Sequence, residues 1–98
     1  MDISDWRTKI DTIDEALVEL LSRRAEYALK IGEMKKAKGM RIYAPERERW
    51  VLEQVQALNK GPLSDDAIRR LFERIIDESR RQEREVFEKD PESSSEGG

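Results

Sequence analysis

Arg24 sits where a core residue belongs. Along residues 6–34 the apolar side chains Trp6, Ile10, Ile13, Leu17, Leu20, Tyr27, Ile31 and Met34 recur at alternating spacings of three and four, and this guanidinium fills the gap in the stripe. Such spacing is the heptad seam of a long helix. Arg7 and Lys35 share the position beside that seam. Downstream, Glu48 stands at one end of the apolar face formed by Val51, Leu52, Val55 and Leu58, with Arg47 next to it. Ser79 and Glu83 interrupt the stripe of Ile68, Leu71, Phe72, Ile75, Ile76, Val86 and Phe87. Taken singly, each residue has an ordinary explanation. Arg24 could pair with Glu83 between helices, Lys35 could snorkel at a helix C-terminus, and Ser79 could bond back to the preceding turn. Taken together, a charge or hydroxyl on the seam of every helix is a series of expensive burials. Arg7, Arg24, Lys35 and Arg47 outnumber Glu48, so a pocket built from them is cationic. Its natural guest is a small dianion, a dicarboxylate, because Arg binds carboxylates in bidentate geometry.

Other chemistry is excluded by residue type. The 98-residue chain has no histidine and no cysteine, which removes the usual general base, the commonest zinc ligands and all thiol chemistry. Reaction must therefore run on Arg, Lys, Glu, Asp and Ser. Residues 88–98 hold four acids and one lysine, which accounts for the whole net charge of −3 and leaves residues 1–87 neutral. A neutral body argues against nucleic-acid binding, which needs a cationic excess. No apolar run approaches ~18 residues and no signal-peptide pattern opens the chain, so neither membrane insertion nor export is expected and a cytoplasmic location is. The expected organisation is one domain over residues 1–88 and a disordered tail over 89–98, acidic and rich in Ser and Gly.

The elements that must position these residues are helices. The first is expected from Ser4 or Asp5 to about Lys38, ended by Gly39. After the loop "GMRIYA", Pro45 suits a first helical turn, and a second helix is expected to Asn59, before Gly61-Pro62. A third follows Ser64 as cap, with Asp65 and Asp66 matching the dipole and Leu63 stapling onto Ile68, and runs to about Glu88. Trp6 and Trp50 read as packing residues. No strand is expected, so the fold class is all-α.

Length then bears on assembly. A helix of ~34 residues is ~50 Å long, whereas a compact chain of this size has a radius of gyration of ~13 Å. Two shorter helices cannot cover it. The expected assembly is an intertwined homodimer with symmetric contacts.

The chain resembles the all-helical, AroQ-class chorismate mutases. The residues that carry the resemblance are "WRTKIDTIDEALVELLSRRAEYALKIGEMK", "APERERWVLEQV" and "LFERIIDESRRQE", within roughly residues 3 to 87. The resemblance implies an intertwined dimer of three-helix chains with two equivalent active sites. It implies isomerisation of chorismate to prephenate on the way to phenylalanine and tyrosine, an intramolecular Claisen rearrangement that needs no nucleophile, metal or cofactor. It also implies residue roles. Arg24, and Arg7 from the partner chain, hold the substrate carboxylates. Lys35 contacts the ether oxygen and a carboxylate, and Glu48 accepts from the ring hydroxyl with help from the main chain at Ala44. Ser79 binds a carboxylate, and Arg47 orients the cationic cluster.

Two positions depart from the family pattern. Ala44 stands where many members carry an acid, and Glu83 where many carry Gln, a hydrogen-bond donor to the ether oxygen. An ionised Glu can only accept. Either Glu83 works protonated or its neighbour Gln82 takes the role. Rival readings of the same fold are an isochorismate-pyruvate lyase, which shares the cationic site, and a non-catalytic helical dimer or regulatory module.

Overall fold

The computed structural model describes residues 1–87; the expected acidic tail lies outside them. Three helices follow one another, α1 (Ile3–Ala37), α2 (Pro45–Leu58) and α3 (Asp65–Phe87), and no strand occurs among the described residues. None of the helices is long and apolar enough to cross a membrane.

Each helix end has a local cause. α1 begins slightly earlier than the sequence reading placed it, because Asp2 and Asp5 form a reciprocal capping box: Asp5 N–H donates to Asp2 Oδ1 and Asp2 N–H to Asp5 Oδ2, both at 3.0 Å. At its other end Gly39 adopts φ +69°, a left-handed conformation suited to glycine. There the Gly39 N–H reaches Lys36 O at 3.1 Å and the Met40 N–H reaches Lys35 O at 2.8 Å, closing the last turn in a Schellman arrangement. α2 starts on Pro45 and ends one residue before Asn59. Asn59 Nδ2 donates to Leu63 O (2.7 Å) and Asp65 Oδ1 (2.9 Å), which folds the chain back for α3. Ser64 caps α3 as expected, its Oγ accepting from Ala67 N–H at 3.0 Å. Leu63 before it is half exposed, and its carbonyl accepts from Asn59 in the turn.

α3 packs against both α1 and α2, which do not pack on each other. The described core is thin: Leu52 and Ile76 are the buried hydrophobic residues. The molecule measures 60 × 27 × 20 Å with a radius of gyration of 17.6 Å, well above the ~13 Å of a compact chain this size. The excess length is α1, whose first twenty residues project past the other helices and are exposed throughout. The heptad seam on it (Trp6, Ile10, Ile13, Leu17 and Leu20) faces solvent in the single chain, at least half exposed at every position. Leu58, Leu71 and Val86, expected on inward faces, are exposed as well. The periodicity identified their faces, but among the described residues no element covers them fully.

Candidate active site

Where α1, the segment after it, α2 and α3 converge, they enclose a cavity of about 260 Å³, just under the ~300–1,000 Å³ usual for small-molecule pockets. α1 contributes Arg24 and Lys35 to its wall, the connecting segment Ala44, α2 Arg47 and Glu48, and α3 Ser79 and Glu83. Every site residue expected from the sequence is therefore brought to one place except Arg7. That residue is exposed on the projecting part of α1, ~42 Å from Lys35 at ~1.5 Å per residue.

The apolar lining comes from Tyr27, Ala28, Ile31, Val51 and Ile76, together with Ile42 and Tyr43. Gly32, the buried glycine of α1, also lines the cavity. A Cβ there would stand 2.5 Å from Cε2 of Phe87, so the missing side chain lets α3 close onto α1.

The polar groups are held by neighbours. Lys35 Nζ donates to Ile42 O at 3.4 Å, so the turn that ends α1 also presents an acceptor to the lysine of that turn. The Arg47 guanidinium stacks over the half-exposed Trp50 at 4.6 Å from the ring centre, a cation–π contact. The Ala44 carbonyl accepts from Glu48 N–H at 3.1 Å, and the donor that Ala44 can offer a ligand is its own N–H.

Arg80 was not anticipated. It lines the cavity next to Ser79, with its Nε 3.2 Å from Oε2 of Glu48, its Nη2 2.9 Å from Oδ1 of Asp77, and its guanidinium 5.1 Å from the centre of the Tyr43 ring. A signal was available. Position 80 lies ~100° around the helix from Ser79, at the margin of the inward stripe where a long side chain reaches back over the core.

Glu83 is half-buried, and its carboxyl is raised above the ordinary glutamate value of 4.5. Burial is the main cause, and Glu48 adds to it; Lys35 and, more weakly, Arg80 oppose it. The neighbouring Gln82 is not part of the cavity wall, and its Oε1 is buried without a hydrogen-bond partner.

Such a cavity can bind a compact dianion among cations from all three helices and present the raised carboxyl of Glu83 to it. Residues 6–84 match the family described as chorismate mutase type II. The chain is 47% identical over 72 residues to the bifunctional chorismate mutase/prephenate dehydratase of Neisseria gonorrhoeae, covering 74% of this chain and 19% of that protein. It is 28% identical over 87 residues to the chorismate mutase of Methanocaldococcus jannaschii, covering 88% of each. In three dimensions it is similar to the chorismate mutase (Form II) of Thermus thermophilus, with a TM-score of 0.80 and 33% identity over 83% of this chain and 92% of that one. The chain spans about a fifth of the length of the bifunctional relatives it matches.

Proposed function

Because the chain belongs to the chorismate mutase type II family, we propose that it converts chorismate to prephenate. The observation that carries the reading is the convergence of Arg24, Lys35, Arg47 and Ser79 on one cavity with Glu48 and Glu83. The substrate carries two carboxylates, a ring hydroxyl and an ether oxygen, and each has a counterpart among these groups.

The rearrangement breaks the C–O bond of the ether as a C–C bond forms within the same molecule. Catalysis consists of holding the enolpyruvyl arm over the ring and stabilising the negative charge that develops on the ether oxygen. Arg24 and Ser79 bind carboxylates. Lys35 approaches the ether oxygen and a carboxylate, and Arg47 supports the cationic cluster. Glu48, with the Ala44 N–H nearby, accepts from the ring hydroxyl. Glu83 in its protonated form donates to the ether oxygen; its raised carboxyl supports this assignment, and Gln82 is set aside because it does not line the cavity.

The working unit is a homodimer in which Arg7 of the partner chain completes each site. Two observations support this: the exposed apolar seam of α1 and the distance of Arg7 from the cavity of its own chain. The test is the loss of chorismate absorbance on adding the purified chain, with prephenate as product and no pyruvate released from isochorismate. An unchanged chorismate signal overturns the reading, and pyruvate release favours the lyase.

A further inference from the structure

Arg80 has no role in the mechanism above, yet its guanidinium joins separate elements of the cavity wall. Its Nε lies 3.2 Å from Glu48 Oε2 on α2, its Nη2 lies 2.9 Å from Asp77 Oδ1 one turn back on α3, and it sits over the Tyr43 ring at 5.1 Å. We propose that Arg80 is a positioning residue, which fixes the Glu48 carboxylate and the Tyr43 segment in the arrangement that receives the ring hydroxyl of the substrate. The proposal rests on the chorismate reading, since that substrate supplies the hydroxyl.

The physical case has three parts. Glu48 is the more sheltered partner, its side chain 22% exposed against 40% for Arg80. A carboxylate removed from water needs a counter-charge beside it. The planar guanidinium can pair with a carboxylate at its edge while its face lies on an aromatic ring, which an ammonium cannot do. Finally, Arg80 Nε is buried and makes no aligned hydrogen bond although Glu48 is within ion-pair distance. The pair is thus held by charge rather than by a directed bond. A carboxylate has two oxygens and about four acceptor sites, so Oε2 can face Arg80 while Oε1 accepts from the substrate.

The test is a double-mutant cycle on the full chain, with KM and kcat measured separately. Arg80→Gln is expected to raise KM for chorismate about tenfold and leave kcat within about threefold, as fits lost ground-state orientation. Arg80→Lys should recover only part of that loss, because it restores a charge opposite Glu48 but cannot pair at its edge and cover Tyr43 together. In a Glu48→Gln background the further change Arg80→Gln should move KM less than about twofold, because two residues acting as a unit are non-additive. Arg81→Gln is the control, since Arg81 is exposed, pairs with Glu78 at 3.7 Å and is absent from the cavity wall. Should Arg80→Gln fail to fold by circular dichroism, Arg80→Lys in both backgrounds completes the same cycle. Additive effects, or wild-type kinetics in every Arg80 variant, overturn the proposal while the chorismate reading stands. No turnover by the wild-type chain overturns both.

Discussion

Glu83 shares a cavity with Ser79, one helical turn before it, whereas Gln82 stands outside the same wall. On the proposed chorismate reading this carboxyl is the candidate to meet the ether oxygen, and only its protonated form can donate. The structure raises it, chiefly by burial. kcat/KM is thus expected to be highest in acid and to fall as Glu83 ionises, since that profile reports free-enzyme groups. Glu83→Gln should keep the donor at every pH, flatten the profile and preserve activity near neutrality. A wild-type profile flat through neutrality, with Gln82→Ala as the damaging change, would rule Glu83 out as the donor.

The same carboxyl affects stability, and the sign follows from its direction. A carboxyl raised in the folded state binds its proton more tightly there than in the unfolded chain. Its contribution is fully present below the ordinary value of 4.5 and is lost as pH rises through the raised folded value. Denaturant midpoints measured in acid and at neutrality should therefore show Glu83→Gln gaining on the wild type as pH rises. A constant difference between the two proteins would mean that Glu83 titrates alike in both states.

Adjacent arginines on α1 should differ sharply. Arg24 is half-buried and lines the cavity. Arg23 is exposed and paired to Glu19 at 2.7 Å, an arrangement worth ~0–1 kcal/mol on a surface. Arg24→Ala is expected to lower kcat/KM by ~10²–10³, as for loss of one charge-stabilising donor. Arg23→Ala should remain within about threefold of wild type. Equal and mild effects would place the substrate elsewhere.

Subunit mixing tests the shared site. Arg7→Ala and Arg24→Ala chains should each be inactive alone. After exchange, each heterodimer has one intact site, with both lesions gathered in the other, so roughly a quarter of wild-type activity should return. Verified exchange without recovery would show that Arg7 does not complete the partner's site.

Gly32→Ala sets two effects against each other. Alanine favours a helix interior by ~1 kcal/mol, but its Cβ would stand 2.5 Å from the Phe87 ring, and overpacking costs ~1–3 kcal/mol. Tm should fall by several degrees, and Phe87→Leu in the same chain should recover part of the loss. A higher Tm in the single variant would mean that the ring moves aside freely.

The fold was legible where periodicity and chain punctuation coincide. Pro45, Gly39 and Ser64 mark helix ends at or next to the observed ones, because each acts on its own backbone within a few residues. Asp2 was missed as the cap of α1 because Ser4 and Asp5 are equally good caps by residue type. At the cavity, the polar residues that interrupt or flank an apolar stripe, such as Arg24, Lys35 and Ser79, were the legible ones. Arg80 escaped because it joins the cavity from the edge of a stripe, through contacts to Tyr43 and Glu48 that are distant in sequence. That position 83 lines the cavity and position 82 does not depended on how α3 meets its neighbours. That is a tertiary fact, and propensity does not contain it.

The projecting half of α1 has a further consequence for the proposed dimer. A chain whose longest apolar stripe is covered only by another copy has little folded state of its own to fall back on, so folding and association become one event. The melting temperature should then rise with protein concentration, as it does when each folded unit consumes two chains. Dilution would act as a denaturant, and substrate, by bridging groups from both chains, would oppose it.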